Sequence, residues 1–529
     1  MILSHESHVI LQHWLYTIKY CKKKNSYLEG NFQREAMKKY DVIIIGGGIV
    51  GCMTARFLSR YQLDILLIEK SADVGSGASS ANSAIVHAGY DPEPGSLKAK
   101  MNVAGNAMWD TLSGELSFDY DRRGDYVVAV GPEEFAHLDS LIERGRKNGV
   151  PGMHIISADE IRYREPNINT DVSGALWAPT GGICDPFMAV VAAAENAVQN
   201  GVTVMLETEF LDFAINGKKI VGVKTNKGDF GCRWVVNAAG LYSDEVMHKA
   251  GIRPEFKITP KRGEYAVLDH AEIQINNVLF PVPTKKGKGI LVTTTMHGNT
   301  MIGPNSQGVD TKVEKTSTKE GLDEVWSGAQ KLVPSLQQKF TIALFSGLRA
   351  TGNAPCETPG VDYNADFIIE VPWEIQGLVN LGGIESPGLT SAPAIAQRVV
   401  DLLVDAGEKL VARRGWNPIR PPRPHFRKLP REEQIKLINT DPRYARIICR
   451  CETVTEMEII NEIHAPIPAV TYDAIKRRTW LGTGRCLGSF DMPRVVEILS
   501  HELGIPVAEI TKKGPGSEYL YRKTKEVEA

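Results

Sequence analysis

Cysteine, net charge and long apolar runs are all scarce in this chain, and each scarcity narrows what it can be. Eight cysteines lie irregularly along 529 residues, which is not a secreted disulfide framework and fits a reducing, cytoplasmic compartment. A net charge of -2 gives no general attraction to nucleic acid or anionic lipid, so partners must be argued from sites. No apolar run is long enough to span a bilayer. The stretch from Val9 to Tyr20 is short and broken by Gln12 and His13, so membrane contact is expected to be at most peripheral, through a partner at the inner face. What remains is 43% apolar and 23% charged, an ordinary globular composition with length for about two to four domains.

The most informative stretch is Asp41-Val42-Ile43-Ile44-Ile45-Gly46-Gly47-Gly48-Ile49-Val50-Gly51, followed by Asp64-Ile65-Leu66-Leu67-Ile68-Glu69. It reads as a buried strand, a glycine turn, a helix and a second buried strand closing on an acid, the pattern that binds dinucleotides. Gly46 permits the tight turn, Gly48 lets the backbone approach a pyrophosphate, and Gly51 brings the helix against the sheet. The helix N-terminus then meets the phosphates with free N–H groups, and Glu69 faces the ribose hydroxyls.

Residues 1–36 contain Glu6, Glu29 and Glu35 and no small-residue cleavage site, so they read as a poorly ordered extension before Met37 and not as a targeting signal. From Tyr40 to about Ala406, β-branched runs alternate with helical patterns, which suggests an α/β core carrying an inserted sheet, within a domain at 37–412. Then the composition shifts. Pro418, Pro421, Pro422, Pro424 and Pro430 stand among Arg and Lys residues, so 413–440 is expected to be a semi-rigid linker wrapping a surface. A small mainly α unit follows at 441–529, with a capping box at Thr455-Glu456-Met457-Glu458 and a helix from Met492 to Leu503.

Several stretches together resemble the FAD-dependent oxidoreductases related to D-amino acid oxidase. Residues 79–89, with Ser79, Asn82, Ser83 and His87, resemble the family's segment that passes along the flavin. Residues 235–244, with Ala239 and Gly240, resemble the strand and turn that close over the cofactor. Residues 377–391, with Gly383, Gly388, Leu389 and Thr390, are similar to the last strand and the helix start beside the isoalloxazine ring. The resemblance implies FAD held by these residues with Gly46, Gly48, Gly51, Glu69 and Lys70, on a Rossmann-like (GR2-type) domain with an inserted antiparallel substrate sheet.

It also implies the chemistry. Flavin oxidation needs a substrate C–H aimed at the ring and a base for the departing proton. Arg349 matches the family's anion-gripping arginine, although a structural salt bridge is the competing reading. Lys261 and Arg262 stand where the inserted sheet begins, so one of them is a candidate second anion contact or the pair is simply exposed. His87 titrates in a range suited to a base and stands beside the flavin, where it could equally serve as a hydrogen-bonding residue. Residues 95–100, 165–167 and 179–186 look most like the large subunit of anaerobic glycerol-3-phosphate dehydrogenases, with L-2-hydroxyglutarate dehydrogenases the runner-up. Both act on a small anionic secondary alcohol. An electron-transfer subunit with its substrate chemistry on a partner, and a flavin module without turnover, are the other classes to separate.

Cys449-Arg450-Cys451, then Cys486 within Gly482-Thr483-Gly484-Arg485-Cys486, resemble the bacterioferritin-associated-ferredoxin-like domain, which holds a [2Fe–2S] cluster on a C-x-C and a later C-x4-C pair. The fourth position here is Asp491. An unmodified four-thiolate site is excluded, which leaves two readings: a lost or weakened cluster, with Asp491 as an ordinary helix N-cap, or a cluster on three cysteines and one aspartate.

Overall fold

The strand Lys39–Ile45 runs parallel to Ile65–Ile68 on one side and to Gly228–Asn237 on the other. In this computed structural model, which describes residues 38–252, 256–283, 289–353 and 366–521, it is the centre of an eight-stranded sheet. The extension expected at 1–36 lies outside the described residues. Thr203–Met205 and Leu378–Gly382 continue the parallel set outward. Both faces of such a sheet are buried, which is why its strands read as unbroken apolar runs. Period-two alternation divides them: Val42 and Ile44 pack with helices Ile49–Leu58, Pro186–Gln199 and Gly388–Asp405, while Ile43 and Ile45 pack in a second core on the opposite face. An antiparallel pair, Phe210–Asn216 and Lys219–Thr225, extends one edge.

Two insertions, residues 120–178 and 257–353, build a second sheet of nine strands. It is antiparallel except where Asp125–Val130 runs parallel to Val278–Pro281. Its longest pair is Lys257–Leu268 against Thr341–Asn353, in register from Lys257↔Asn353 to Val267↔Ala343. Helix Lys319–Leu332 covers one face with Val325, Trp326, Ala329 and Leu332, a spacing that keeps them on one stripe.

Residues 413–431 run over the first domain, and two arginines of this stretch, Arg420 and Arg423, turn toward it. Arg420 Nε donates to Glu195 Oε2 at 2.5 Å, and Arg423 bridges Glu195 and Glu462 at 2.7 and 2.8 Å. The last ten residues of the expected linker form a helix, Arg431–Thr440. Beyond it stand a short hairpin, Ile447–Cys449 with Val454–Thr455, and helices Glu456–Ile463, Tyr472–Thr479 and Met492–Leu503 around their own apolar core. The capping box forms as expected, Thr455 and Glu458 exchanging side-chain and backbone bonds. Among the described residues no helix is long and apolar enough to cross a membrane.

Candidate functional site

The turn after the first strand has the geometry its glycines imply. Gly46 adopts φ +106°, and a Cβ there would stand 2.5 Å from Ala238 O, so the second strand-turn is packed directly on the first. A Cβ on Gly51 would meet Gly46 O at 2.0 Å, whereas one on Gly48 would touch only Ser79 Oγ at 3.4 Å. Gly51 therefore serves helix packing, and Gly48 leaves open backbone for a ligand. Glu69 Oε2 accepts from Gly47 N at 2.7 Å and Oε1 from Ser71 N at 2.8 Å, leaving further lone pairs for ribose hydroxyls. Ser79 Oγ accepts from Ile49 N at 3.0 Å at the helix start. Lys70 Nζ lies 3.6 Å above the Tyr242 ring, one turn past Ala239 and Gly240.

The opposite end of the site gathers on the start of helix Gly388–Asp405. Neither this helix nor Ile49–Leu58 has an acidic residue in its first turn, so both positive ends are available to an anionic group. Thr390 Oγ1 accepts from His87 N at 2.9 Å. The His87 carbonyl accepts from Asn102 and Asn106 side chains at 2.9 and 3.0 Å, so the backbone of this residue is fixed on both sides. Its Nε2 is 3.4 Å from Ser386 Oγ. Ser83 Oγ lies 3.3 Å from the Tyr265 hydroxyl, whose ring stacks on Phe345, and Asn82 anchors the segment through Ala84 N. Gly383 turns at φ +63°, and Leu389 is half-buried beside Thr390. Open backbone at Gly48, two helix N-termini with no acidic residue in their first turn and a carboxylate at Glu69 make a set of groups that fits FAD.

Strand register decides which basic residues face this site. Arg349 is directly opposite Lys261, so the two share a face. A Cβ on Gly347, two residues along that same face, would meet Ala81 O at 2.1 Å. Arg349 Nη2 donates to Asn305 O at 3.0 Å and Nη1 to Ser306 Oγ at 3.3 Å. Neither contact is a salt bridge. Arg262 is opposite Leu348 and points to the other face, where its guanidinium stands 3.6 Å from the fully buried Glu264 and Nη2 reaches Thr318 Oγ1 at 3.4 Å. Of the expected site residues, Arg262 is therefore not brought together with Arg349: alternation turns it to the other face, and Lys261 takes the matching position.

A further charged group was not anticipated. Lys98 Nζ pairs with Glu385 Oε1 at 2.7 Å, and Thr351 Oγ1 donates to Glu385 Oε2 at 2.6 Å. Burial raises the Glu385 pKa, but Lys98, Thr351 and nearby Arg349 outweigh it and hold the carboxyl below its ordinary range. Both ends of the pair lie in stretches singled out for their resemblance, 95–100 and 377–391; their pairing across 287 residues leaves no local signal.

In the C-terminal unit the four expected donors fall into two pairs. Cys451 Sγ and Cys486 Sγ are 3.8 Å apart, and Asp491 faces Cys449 closely enough to push the thiol further up; burial is the larger cause, and the thiol reaches about 11. Asp491 does not cap the helix that follows it, contrary to the ordinary reading of its position: no side-chain cap bond forms. The carboxylate turns inward to the Tyr472 hydroxyl at 2.7 Å. Among the described residues no three His, Cys, Asp or Glu side chains surround a single ion. Two pairs fit a two-iron cluster, in which each iron takes two terminal ligands.

Residues 41–402 match the family described as FAD dependent oxidoreductase, and residues 447–501 match the BFD-like [2Fe-2S] binding domain. The chain is 43% identical over 489 residues to a glycerol 3-phosphate dehydrogenase of Caloramator mitchellensis, covering 92% of this chain and 99% of that one. A human mitochondrial L-2-hydroxyglutarate dehydrogenase is 31% identical over 293 residues, 52% of this chain and 63% of its own. The dithionite-reduced L-alpha-glycerophosphate oxidase of Mycoplasma pneumoniae with FAD bound superposes with TM-score 0.67 at 33% identity, over 73% of this chain and all of that one. With its strand, glycine turn and acid in place, the chain belongs to the FAD-dependent oxidoreductase (DAO) family and carries a C-terminal BFD-like domain.

Proposed function

We propose that the protein oxidises the secondary alcohol of sn-glycerol 3-phosphate to dihydroxyacetone phosphate. The observation that carries this reading is the similarity to the Caloramator dehydrogenase. Its match leaves 8% of the chain uncovered, fewer residues than the C-terminal unit holds, so it extends beyond the oxidoreductase region. FAD, when bound, supplies the acceptor for the hydride leaving the carbinol carbon. The remaining work belongs to side chains. Arg349 and Lys261, side by side on the face that meets Ala81, suit a phosphate, with the guanidinium fork adding orientation. His87 Nε2 takes the hydroxyl proton, with Ser386 Oγ beside it to direct the alcohol. The anchoring of the His87 backbone by Thr390, Asn102 and Asn106 keeps the base in one position, which lowers the cost of reaching a reactive geometry.

Residues 37–412 act as the oxidoreductase domain, 413–440 as the connection and 441–529 as the electron-handling unit, in a cytoplasmic protein that touches membrane only peripherally. Electrons leave to a partner subunit or a quinone-type acceptor. L-2-hydroxyglutarate is the alternative substrate; the human dehydrogenase of that name matches 52% of the chain. Incubation with glycerol 3-phosphate and an artificial electron acceptor tests the reading. Dihydroxyacetone phosphate forming in step with acceptor reduction supports it, and turnover with L-2-hydroxyglutarate alone overturns it.

A further inference from the structure

We propose that Asp491 is the fourth protein ligand of a two-iron cluster, bound through Oδ2, with Cys449, Cys451 and Cys486 supplying the other three. The inference rests on the reading of the C-terminal unit as a [2Fe–2S]-type domain. It concerns a position where that domain's pattern calls for cysteine.

An aspartate one residue before a helix ordinarily turns back to accept the first-turn N–H groups. Asp491 has φ -93° and ψ -28°, already helical, and makes no such bond. Its carboxylate is instead directed into the unit, with the residue 1% exposed. Oδ1 is held by the Tyr472 hydroxyl at 2.7 Å. Oδ2 is buried and has no hydrogen-bond donor. A buried carboxyl oxygen left so is unfavourable unless a cation or donor meets it. A ferric ion at that point removes the penalty.

The surroundings fit the same assignment. Cys451 Sγ and Cys486 Sγ stand 3.8 Å apart, suited to two terminal ligands of one iron, which leaves Cys449 and Asp491 for the other. The loop between them is shaped by glycine where backbone must come close. A Cβ on Gly484 would stand 2.5 Å from Cys451 Cβ and 3.1 Å from its Sγ. Gly488, at φ +85°, has room for no side chain either: a Cβ there would meet the Tyr472 hydroxyl at 2.2 Å and Asp491 Oδ1 at 3.4 Å. Tyr472 therefore acts as a positioning residue. It fixes one carboxylate oxygen so that the other faces the cluster, the role outer partners play for metal ligands.

The experiment uses the full-length flavoprotein, reconstituted anaerobically with ferrous iron and sulfide, and reads iron and sulfide per chain together with the electron paramagnetic resonance spectrum after dithionite. Wild type is expected to hold about two irons and two sulfides per chain. Asp491→Cys keeps the iron and gains visible absorption, because another thiolate-to-iron charge-transfer band is added, and its g values move. Asp491→Ala and the isosteric Asp491→Asn lose the cluster. Tyr472→Phe retains it with shifted g values and roughly 10-fold easier loss to a chelator. FAD content and Tm, measured on each variant, exclude general unfolding. Where Asp491→Ala fails to fold, the Asn and Cys variants decide. The proposal is overturned if wild type takes up no iron while Asp491→Cys takes up two. It is equally overturned if Asp491→Asn has the iron content and spectrum of wild type. Flavin bleaching by glycerol 3-phosphate is recorded on the same samples. Bleaching without iron sinks this inference alone, and iron without bleaching sinks only the substrate reading.

Discussion

Arg478 grips Asp73 with both terminal nitrogens, Nη1 to Oδ2 at 2.8 Å and Nη2 to Oδ1 at 2.7 Å, across 405 residues of sequence. Arg477 adds a third contact at 2.7 Å. Asp73 lies in the loop that leaves Glu69 and returns to the glycine turn through Gly75 N and Gly47 O, 2.8 Å apart. The C-terminal unit is thereby tied to the loop that packs on the glycine turn of the first domain.

Breaking this pair leaves a buried charge without its partner. Arg478→Ala is expected to cost about 3–5 kcal/mol, read as a lower Tm and weaker FAD retention, with Asp73→Ala in the same chain restoring part of the loss. Burial raises the Asp73 pKa, but the two arginines outweigh it and leave it below the ordinary carboxylate range. Its contribution to stability is therefore complete above the unfolded carboxylate pKa of roughly 4 and is lost as pH falls through the lower folded value. Melts of wild type and Asp73→Asn across acid pH check the sign: their difference must shrink on acidification.

Glu165 carries the opposite dependence. Burial pushes its carboxyl up to about 7, with the Asn276 and Asn277 N–H groups only partly opposing, and Oε1 has no donor. Between the unfolded pKa of roughly 4.3 and the folded value, the native state holds a proton that the unfolded chain has released. Stability should therefore decline as pH rises from about 4 to 7 and level off above it. Glu165→Gln is expected to remove that decline, measured by denaturant unfolding at several pH values.

Two glycines of the same motif should fail differently. Gly51→Ala places a methyl 2.0 Å from Gly46 O, so the turn cannot close and soluble protein is expected to lack flavin and melt early. Gly48→Ala meets only Ser79 Oγ, at 3.4 Å. It should fold with a near-normal Tm while binding FAD much more weakly, as seen by absorbance after desalting.

Arg349 and Arg262 separate in the same manner. Arg349→Ala is expected to lower kcat/KM for glycerol 3-phosphate by about 10- to 100-fold, mainly through KM, with FAD content unchanged. Arg262→Ala leaves Glu264, which is 0% exposed, its hydrogen bonds from Asn305 and Thr318 but removes the cation paired with it, and should lower Tm instead, with the KM of the surviving protein close to wild type.

The contrast between these two arginines shows where sequence reading stops. The first strand, the glycine turn and Glu69 are legible because each step is local: an apolar run, a turn chemistry and an acid at a fixed interval. The capping box at Thr455 and the helix from Met492 are legible for the same reason. Which of Lys261 and Arg262 faces the site depends on strand parity, and residues 262–266 are buried on both faces of their strand, so no polar alternation marks it. The Lys98–Glu385 and Arg478–Asp73 pairs join distant segments, which no local pattern reports. Asp491 is a third kind of case. Its local propensity points to a cap, and tertiary contact with Tyr472 overrides it.

The central claim, a flavin enzyme that takes two electrons from a small phosphorylated alcohol, is tested most directly by anaerobic titration of the FAD-loaded protein with glycerol 3-phosphate. The expected result is loss of the oxidised flavin absorbance at stoichiometric substrate, with Arg349→Ala requiring far higher concentrations. A flavin that stays oxidised in excess glycerol 3-phosphate, while dithionite bleaches it, would contradict the account.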